Sequence, residues 1–166
     1  MPGPDEVALE NLTGRHIATL ATQDHDGQIH LTAVWYMYKD GDLFVPTNSK
    51  SRKFRNISAR PSVSLMVDTR KPGYEYGLTT SGTATAVTGD EARTLSRQIH
   101  ERYLTSKALD DPQISGFFAS YDDVVIRISP HSWVSWDMGR PNVQYFGGKL
   151  STETGYLYPL DDPPTS

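Results

Sequence analysis

Residues 47–68, TNSKSRKFRNISARPSVSLMVD, decide the fold prediction because they change from a helical pattern to a strand pattern around one proline. A helix is expected at about Lys50–Ala59, ending before Pro61, since the residue that precedes a proline disfavours the helical conformation. Ser62–Asp68 then alternates, with apolar Val63 and Leu65 on one face, as in a half-buried strand. A short helix placed between strands indicates a small β-rich domain.

The start of this helix is crowded with positive charge. Four of the six residues 50–55 are cations: Lys50, Arg52, Lys53 and Arg55. Asn48 and Ser49 are expected to cap the helix. The cations then occupy the first turn, where the helix dipole disfavours each of them by roughly 0.3–1 kcal/mol. Cations, hydroxyls and free N–H groups at a helix start suit a bound anion, most simply a phosphate. The alternative is a solvated helix face with incidental lysines.

Composition and charge limit the classes of protein to consider. The 166 residues are most simply one domain, and the absence of cysteine excludes disulfides and thiolate chemistry. The net charge of −4 disfavours general nucleic-acid binding, so the local cations imply a small anionic ligand. No apolar run approaches the roughly 18 residues of a membrane span. Because the first residues also lack the features of a signal peptide, a cytoplasmic protein is expected.

The rest of the chain predicts short antiparallel strands and one long helix. Besides Ser62–Asp68, strands are expected at Arg15–Thr22, Gln28–Tyr38, Leu43–Thr47, Leu78–Val87 and Asp123–Ile128. A helix follows the capping box that begins at Thr88, and residues 110–121 are expected to be mostly irregular. Six strands with short turns predict a mainly β fold, a small closed β-barrel with peripheral helices. Residues 1–137 would form this domain and residues 138–166 an extended tail.

Most catalytic signatures are missing, which directs attention to a bound cofactor. No glycine-rich nucleotide loop, zinc-protease helix or nucleophile elbow occurs, and the histidines show no metal-ligand spacing. Aromatic side chains are available at Trp35, Tyr36, Trp133 and Trp136. Aromatic walls with one phosphate anchor describe a site for a flat phosphorylated cofactor. The alternative is that these tryptophans belong to the core or to a subunit interface.

Three stretches together resemble a known family. Gly27–Tyr36, Thr47–Lys53 and Asn56–Leu65 are similar to the pyridoxamine 5′-phosphate oxidase-like superfamily, above all to its flavin/deazaflavin-dependent oxidoreductase group and the branch that uses coenzyme F-420. The resemblance implies a split β-barrel, as in FMN-binding proteins. It also implies a homodimer with a cofactor at each of two sites between the subunits.

The resemblance also implies which residues hold the cofactor. Its phosphate contacts fall on Arg52 and Lys53, with help from Thr47 and Ser51. The ring would lie along the strand backbone at Val34 and Trp35, and either Trp133 or Trp136 matches a late family aromatic. With the neighbouring polar residues of the helix start included, the predicted cofactor-binding residues are Val34, Trp35, Thr47, Asn48, Ser51, Arg52, Lys53, Arg55 and Trp136.

Departures from the family pattern narrow the expected activity. True pyridoxamine phosphate oxidases carry an arginine and a lysine where this chain has Thr32 and Met37, and their C-terminal arginine motif is absent from residues 136–166. Vitamin B6 oxidation is therefore not expected. The leading hypothesis is hydride transfer from reduced F-420 to an electron-poor small molecule, with the proton coming from water, Tyr36 or His30. FMN is the alternative cofactor, in an oxidoreductase of the same fold.

A third hypothesis is a non-catalytic protein that carries a cofactor or haem. Haem would need a side-chain ligand, for which His30 and His131 are the candidates. In all three cases the resemblance implies that variable segments shape the ligand pocket. Those segments are the loop Thr69–Gly77 and the tail after Met138.

Overall fold

A computed structural model describes residue 4 and residues 6–153 and 155–157. The last part of the predicted tail, residues 158–166, lies outside the described residues. Within the described ranges, no helix has both the length and the apolar character needed to cross a membrane.

Seven strands in the described chain form one antiparallel sheet. They are β1 (Ala18–Gln23), β2 (Ile29–Val34), β3 (Met37–Lys39), β4 (Asp42–Thr47), β5 (Ser62–Thr69), β6 (Tyr76–Val87) and β7 (Val124–Asp137). Their order is β2-β1-β5-β6-β7-β4-β3, so β2 and β3 are the two edges, and no ladder between described residues joins them. The mainly β fold and the split barrel are confirmed, whereas the closed barrel is wrong.

The barrel is split because the chain turns between β2 and β3, where a single strand Gln28–Tyr38 was expected. Trp35 stacks on Tyr103, with ring centroids 5.0 Å apart. Tyr36, fully buried on the other side of the sheet, donates its backbone N–H to the Tyr103 hydroxyl oxygen at 3.3 Å. The two neighbouring aromatic side chains thus pack into different layers, and β2 and β3 go to opposite edges of the sheet.

The helices surround this sheet. They are α1 (Glu6–Thr13), α2 (Arg52–Ala59), α3 (Gly89–Tyr103), α4 (Ser106–Leu109), α5 (Pro112–Tyr121), α6 (Gly139–Phe146) and α7 (Lys149–Thr152). The irregular structure expected at residues 110–121 is wrong. Asp111 caps α5 by accepting a hydrogen bond from the backbone N–H of Gln113 at 2.8 Å, and Pro112 occupies the first helical position.

β7 continues well past Ile128, where the predicted strand ended. Pro130 lies opposite Gly82, where a register shift between β6 and β7 absorbs the missing donor. The strand ends at Asp137, and the described part of the predicted tail forms α6 and α7 instead of an extended chain. Gly147 ends α6 with a left-handed φ of 61°. The division into a barrel domain and a tail stays a prediction.

Buried apolar side chains form a separate cluster on each face of the sheet. The inner cluster lies inside the half-barrel and includes Leu20, Tyr36, Leu65, Leu78 and Ile126. The outer cluster lies between α3 and strands β4 and β7, and its buried members are Phe44, Ala92, Leu95, Ile99 and Val125. We call this second region the covered face.

Over the rest of the outer surface of the sheet, the part of the chain that the structure describes supplies no such layer. Cross-strand partners share a face, and two rows of partners run over β2, β1, β5, β6 and β7. The rows are Leu31-Ala21-Ser64-Ser81-Ser132 and Ala33-Thr19-Met66-Thr79-Val134. Leu31 is 63% exposed and Val134 62% exposed. We call this surface the bare face.

Candidate functional site

The cationic helix α2 starts after a capped turn that follows β4. The N-cap is Ser51, whose Oγ accepts a hydrogen bond from the backbone N–H of Phe54 at 3.2 Å. The Thr47 hydroxyl donates to the same Ser51 Oγ at 2.9 Å. Because Ser51 Oγ accepts both bonds, its own O–H proton stays available to a further acceptor.

The predicted caps, Asn48 and Ser49, are wrong by two to three positions. Ser49 donates its backbone N–H and its hydroxyl to the two carboxylate oxygens of Asp123, each at 2.7 Å. Asn48 uses its side-chain oxygen to accept from the backbone N–H of Lys50 at 3.0 Å. Both side chains are therefore occupied before the helix begins.

The polar residues of the helix start nevertheless stay together. We call them the cationic cradle, and they are Thr47, Asn48, Lys50, Ser51, Arg52, Lys53 and Arg55. Arg52 and Lys53 are the first two residues of α2, so their backbone N–H groups have no acceptor within the helix. The positive end of the helix dipole and the cationic side chains coincide here.

Arg52 has an internal partner that sequence reasoning missed. Its guanidinium contacts both carboxylate oxygens of Asp24, with Nε 3.0 Å from Oδ1. Asp24 is only 4% exposed. The bond from Arg52 holds the pKa of Asp24 down at about 2, against the opposing effect of burial. Any anion bound by Arg52 would therefore share this residue with Asp24.

Lys53 differs from Arg52 in its electrostatics. Its side chain is half-buried, and no hydrogen bond or ion pair to it occurs among the described residues. Desolvation lowers the pKa of Lys53, and the charge of Asp122 acts in the opposite direction. A partly desolvated ammonium without a contacting anion is costly unless a ligand supplies the negative charge.

Arg55 and the remaining predicted residues have more varied surroundings. Arg55 donates to the backbone oxygen of Lys50 at 2.7 Å and thereby braces the turn before α2. Val34 is buried at the end of β2, while Trp35 directs its indole away from the sheet edge into the covered face, against Tyr103. The placement of a cofactor ring along their backbone stays a prediction.

The two late tryptophans lie far along β7 from the cradle. Val124, at the start of β7, pairs with Thr47, whereas Trp136 pairs with Gly77 near the other end of the strand. Trp133 packs on the inner cluster, edge-to-face with Tyr38 at 6.1 Å. One chain therefore brings the cradle residues together but does not bring Trp136 to them.

The groups proposed for proton transfer or haem ligation are engaged. His30 Nε2 lies 2.8 Å from the Thr32 hydroxyl, and His131 Nε2 lies 2.9 Å from the Thr83 hydroxyl. Tyr36 is fully buried, and its burial raises the pKa of the phenol well above its usual range. Among the described residues, no group of three or more His, Cys, Asp or Glu side chains could hold a metal ion.

The loop and tail expected to shape the ligand pocket are joined to each other by a buried amide. Asn142 in α6 donates to the Gly73 backbone oxygen at 3.2 Å and to the Ser151 hydroxyl at 2.9 Å. Its side-chain oxygen accepts from the Leu150 backbone N–H at 3.1 Å. The loop between β5 and β6 is thus fixed to α6 and α7.

Two cavities accompany these elements, and neither is lined by a cradle residue. One, of about 520 Å³, lies between α3 and the α4–α5 segment. The other, of about 530 Å³, is lined by aromatic and apolar residues of α6, α7 and the segment that follows. Lys50, Arg52 and Arg55 of the cradle are exposed within one chain, so a large cofactor there would need a further wall.

Comparisons with known proteins agree with this fold. A family model described as pyridoxamine 5′-phosphate oxidase matches residues 4–137. The solved structure of conserved hypothetical protein Rv2991 from Mycobacterium tuberculosis is 29% identical, with 86% of this chain and 89% of that chain covered and a TM-score of 0.67. An F-420 reductase is 25% identical, with 81% and 98% covered and a TM-score of 0.60.

A further neighbour shares the fold alone. The haem storage protein HutZ from Vibrio cholerae is 21% identical, with 82% of this chain and 95% of that chain covered and a TM-score of 0.62. No curated protein shows a significant sequence match to this chain.

Proposed function

Because the chain belongs to the pyridoxamine 5′-phosphate oxidase family, we propose that it is an oxidoreductase that uses the deazaflavin coenzyme F-420 to reduce an electron-poor small molecule. The observation that carries the proposal is Lys53, a half-buried ammonium at a helix start with no contacting anion among the described residues. The similarity to an F-420 reductase over 98% of that chain supports the deazaflavin as the cofactor.

The cradle fits the phosphate of such a cofactor. The Ser51 hydroxyl has a proton to donate, because its oxygen already accepts from Thr47 and Phe54. The first backbone N–H groups of α2 point out of the helix end, and the Lys53 ammonium supplies a full positive charge. Backbone donors, a hydroxyl and an unpaired cation form a complete set of phosphate contacts.

The protein's own part in the reaction is to hold the cofactor in position and to shield it from water. When bound, the reduced deazaflavin supplies the hydride. Lys53 compensates the negative charge of the phosphate, and Asp24 holds the Arg52 side chain in a fixed direction beside it. Since a positioned cofactor needs little acid–base help, the absence of an obvious catalytic pair in the sequence is consistent with this role.

We propose that a second copy of the chain completes the site. Cofactor pockets usually enclose about 70–90% of the surface of their ligand, whereas the cradle is open in one chain. Leu31 and Val134 of the bare face are exposed apolar side chains on strands, which is the surface that a homodimer would cover. The proposal requires that this dimer interface reach the cradle.

The test is a titration of cofactor-free protein with F-420 and, separately, with FMN, followed by ligand fluorescence. Lys53→Ala is expected to weaken F-420 binding by about 1.5–3 kcal/mol, or about 10- to 150-fold, through loss of a charge-assisted bond. Lys39→Ala removes the same charge from an exposed strand position outside the cradle, so it serves as the matched control and should change the affinity far less.

The outcomes separate the alternatives. Tighter binding of FMN than of F-420 would assign the flavin instead. Equal affinities of the wild type and Lys53→Ala for both cofactors would defeat the phosphate assignment.

A further inference from the structure

We propose that the cavity between α3 and α5 is a second small-molecule site, suited to an uncharged ring compound with one hydrogen-bonding group. The cavity has a volume of about 520 Å³, within the usual range of about 300–1,000 Å³ for ligand pockets. None of the cradle residues lines it, although Asp122 of its wall acts electrostatically on Lys53 of the cradle.

The shape and apolar character of the cavity suit a ring. Leu104 at the end of α3, Leu109 of α4 and Phe118 of α5 contribute half-buried apolar walls. Phe118 already takes part in aromatic contacts, because its ring lies 4.6 Å from that of His100 and 5.5 Å from that of Trp35. A further flat ring would find similar packing partners there.

One polar group in the cavity wall has no partner. Ser96 of α3 is 4% exposed, and its hydroxyl makes no hydrogen bond among the described residues. Buried hydroxyl groups are normally hydrogen-bonded, and leaving one without a partner is unfavourable. The Ser96 oxygen itself has almost no accessible surface, so a ligand group reaches it only if neighbouring atoms of the cavity wall shift. A group that does so would remove that penalty, which is why the ligand is expected to carry one donor or acceptor.

The other buried polar groups of the cavity satisfy each other. His100 Nε2 lies 2.8 Å from Asp122 Oδ2, and their side chains are 9% and 10% exposed. Ser96 and His100 are one helical turn apart on α3, but no hydrogen bond between them is found among the described residues. The three side chains are therefore not arranged as an activated nucleophile, and the cavity is assigned to binding.

The charges around the cavity do not favour an ion. Arg93 and Arg97 are strongly exposed and are paired with Asp90 and Glu101, respectively. Two further carboxylates, of Asp110 and Asp122, also line the cavity. Positive and negative groups are both present and largely paired. A charged ligand would therefore be repelled by some of them, whereas an uncharged ligand would not.

Two fluorinated probes of nearly equal size test the proposal on the full-length chain. The probes are 4-fluorophenol, which has a hydroxyl, and fluorobenzene, which has none, and their ¹⁹F NMR signals report binding. The wild type is expected to bind 4-fluorophenol about 3- to 10-fold more tightly than fluorobenzene, the usual range for one net hydrogen bond. The indole N–H signal of Trp35, whose ring lies 5.5 Å from that of Phe118, should shift with both probes.

Variants locate the site. Ser96→Ala should remove the preference for the phenol while fluorobenzene still binds. Thr94→Ala, which removes an exposed hydroxyl of the same helix outside the cavity, should keep the preference. Ser115→Phe fills the cavity from α5 and should abolish binding of both probes.

Other results would overturn the proposal. They are equal affinities for the two probes in the wild type, a phenol preference that survives Ser96→Ala, or binding that survives Ser115→Phe. Each of these readouts is independent of F-420, so failure here would leave the proposed redox function untouched.

Discussion

The covered and bare faces are two parts of the same outer surface of one sheet. A helix packs over the covered face, whereas the bare face is exposed. Under α3, Phe44 and Val125 project from the strands into a buried cluster with Ile99. Across the same sheet, Leu31 and Val134 project into solvent. The strands of the covered face present large apolar side chains, whereas those of the bare face mix apolar side chains with serine and threonine. The two parts also differ in whether the described chain supplies a second layer.

The two faces should therefore contribute to different properties, the covered face to folding stability and the bare face to association between chains. A layer supplied by the chain itself contributes to folding, because its apolar surface leaves water when the chain folds. The bare face offers apolar surface that no described residue of this chain covers, so its side chains should contribute to association instead. Three substitutions test this division, in order of decreasing expected effect.

The largest effect is expected for Ile99→Ala in the covered face. Ile99 is fully buried, and truncation of such a side chain typically costs about 2–5 kcal/mol of unfolding free energy. Urea denaturation followed by circular dichroism would measure the loss. A change below about 0.5 kcal/mol, the usual range for surface positions, would show that α3 is not a structural layer.

The second effect is expected for Leu31→Asp in the bare face. The unfolding free energy of the separated chain should change by less than about 0.5 kcal/mol. The dissociation constant of the dimer should rise by about 30-fold or more, because the new carboxylate would be buried in the interface without a partner. Sedimentation at a series of concentrations measures this constant.

Thr85→Asp is the matched control for this second test, since it also places a carboxylate on an exposed strand position, but outside the bare face. An unchanged dimer in Leu31→Asp, or equal weakening in both variants, would remove the bare face from the interface.

The smallest effect is expected for Gly77→Ala, at the end of the bare face. A Cβ on Gly77 would lie 2.5 Å from the Trp136 ring and 2.7 Å from the Val67 backbone oxygen. Such overpacking typically costs about 1–3 kcal/mol, measurable by thermal or urea unfolding. Gly116→Ala, where a Cβ meets nothing within 4 Å in α5, is the control and should be neutral or stabilising. Equal effects would show that Trp136 does not pack over Gly77.

Elements that depend on local pattern were predictable from the sequence. β5 was expected at Ser62–Asp68 and spans Ser62–Thr69, because burial alternates with the two-residue period of a strand. The cationic cradle was also expected at a helix start, since charge and capping residues are neighbours in the chain. The N-terminal signal of α5 was present as well, in Asp111 followed by Pro112, but was not recognised.

Features that depend on distant residues were not predictable. Arg52 pairs with Asp24, 28 residues away, and Ser49 pairs with Asp123, 74 residues away. These contacts decide which cation of the cradle is free and which residue caps α2. The chain turn at Trp35 likewise depends on Tyr103, whose position follows only from the packing of α3. Local periodicity contains no information about such pairs.

The buried side-chain amide of Asn142 ties the loop between β5 and β6 to the C-terminal helices. Its nitrogen and oxygen bond the loop at Gly73 and two residues within α7, Leu150 and Ser151, and Asn142 is 2% exposed. Displacing either segment alone would leave the buried Asn142 carboxamide without some of its hydrogen-bond partners, which is unfavourable. The two segments should therefore detach as one cooperative unit, so that access to anything they enclose is gated by a single concerted opening.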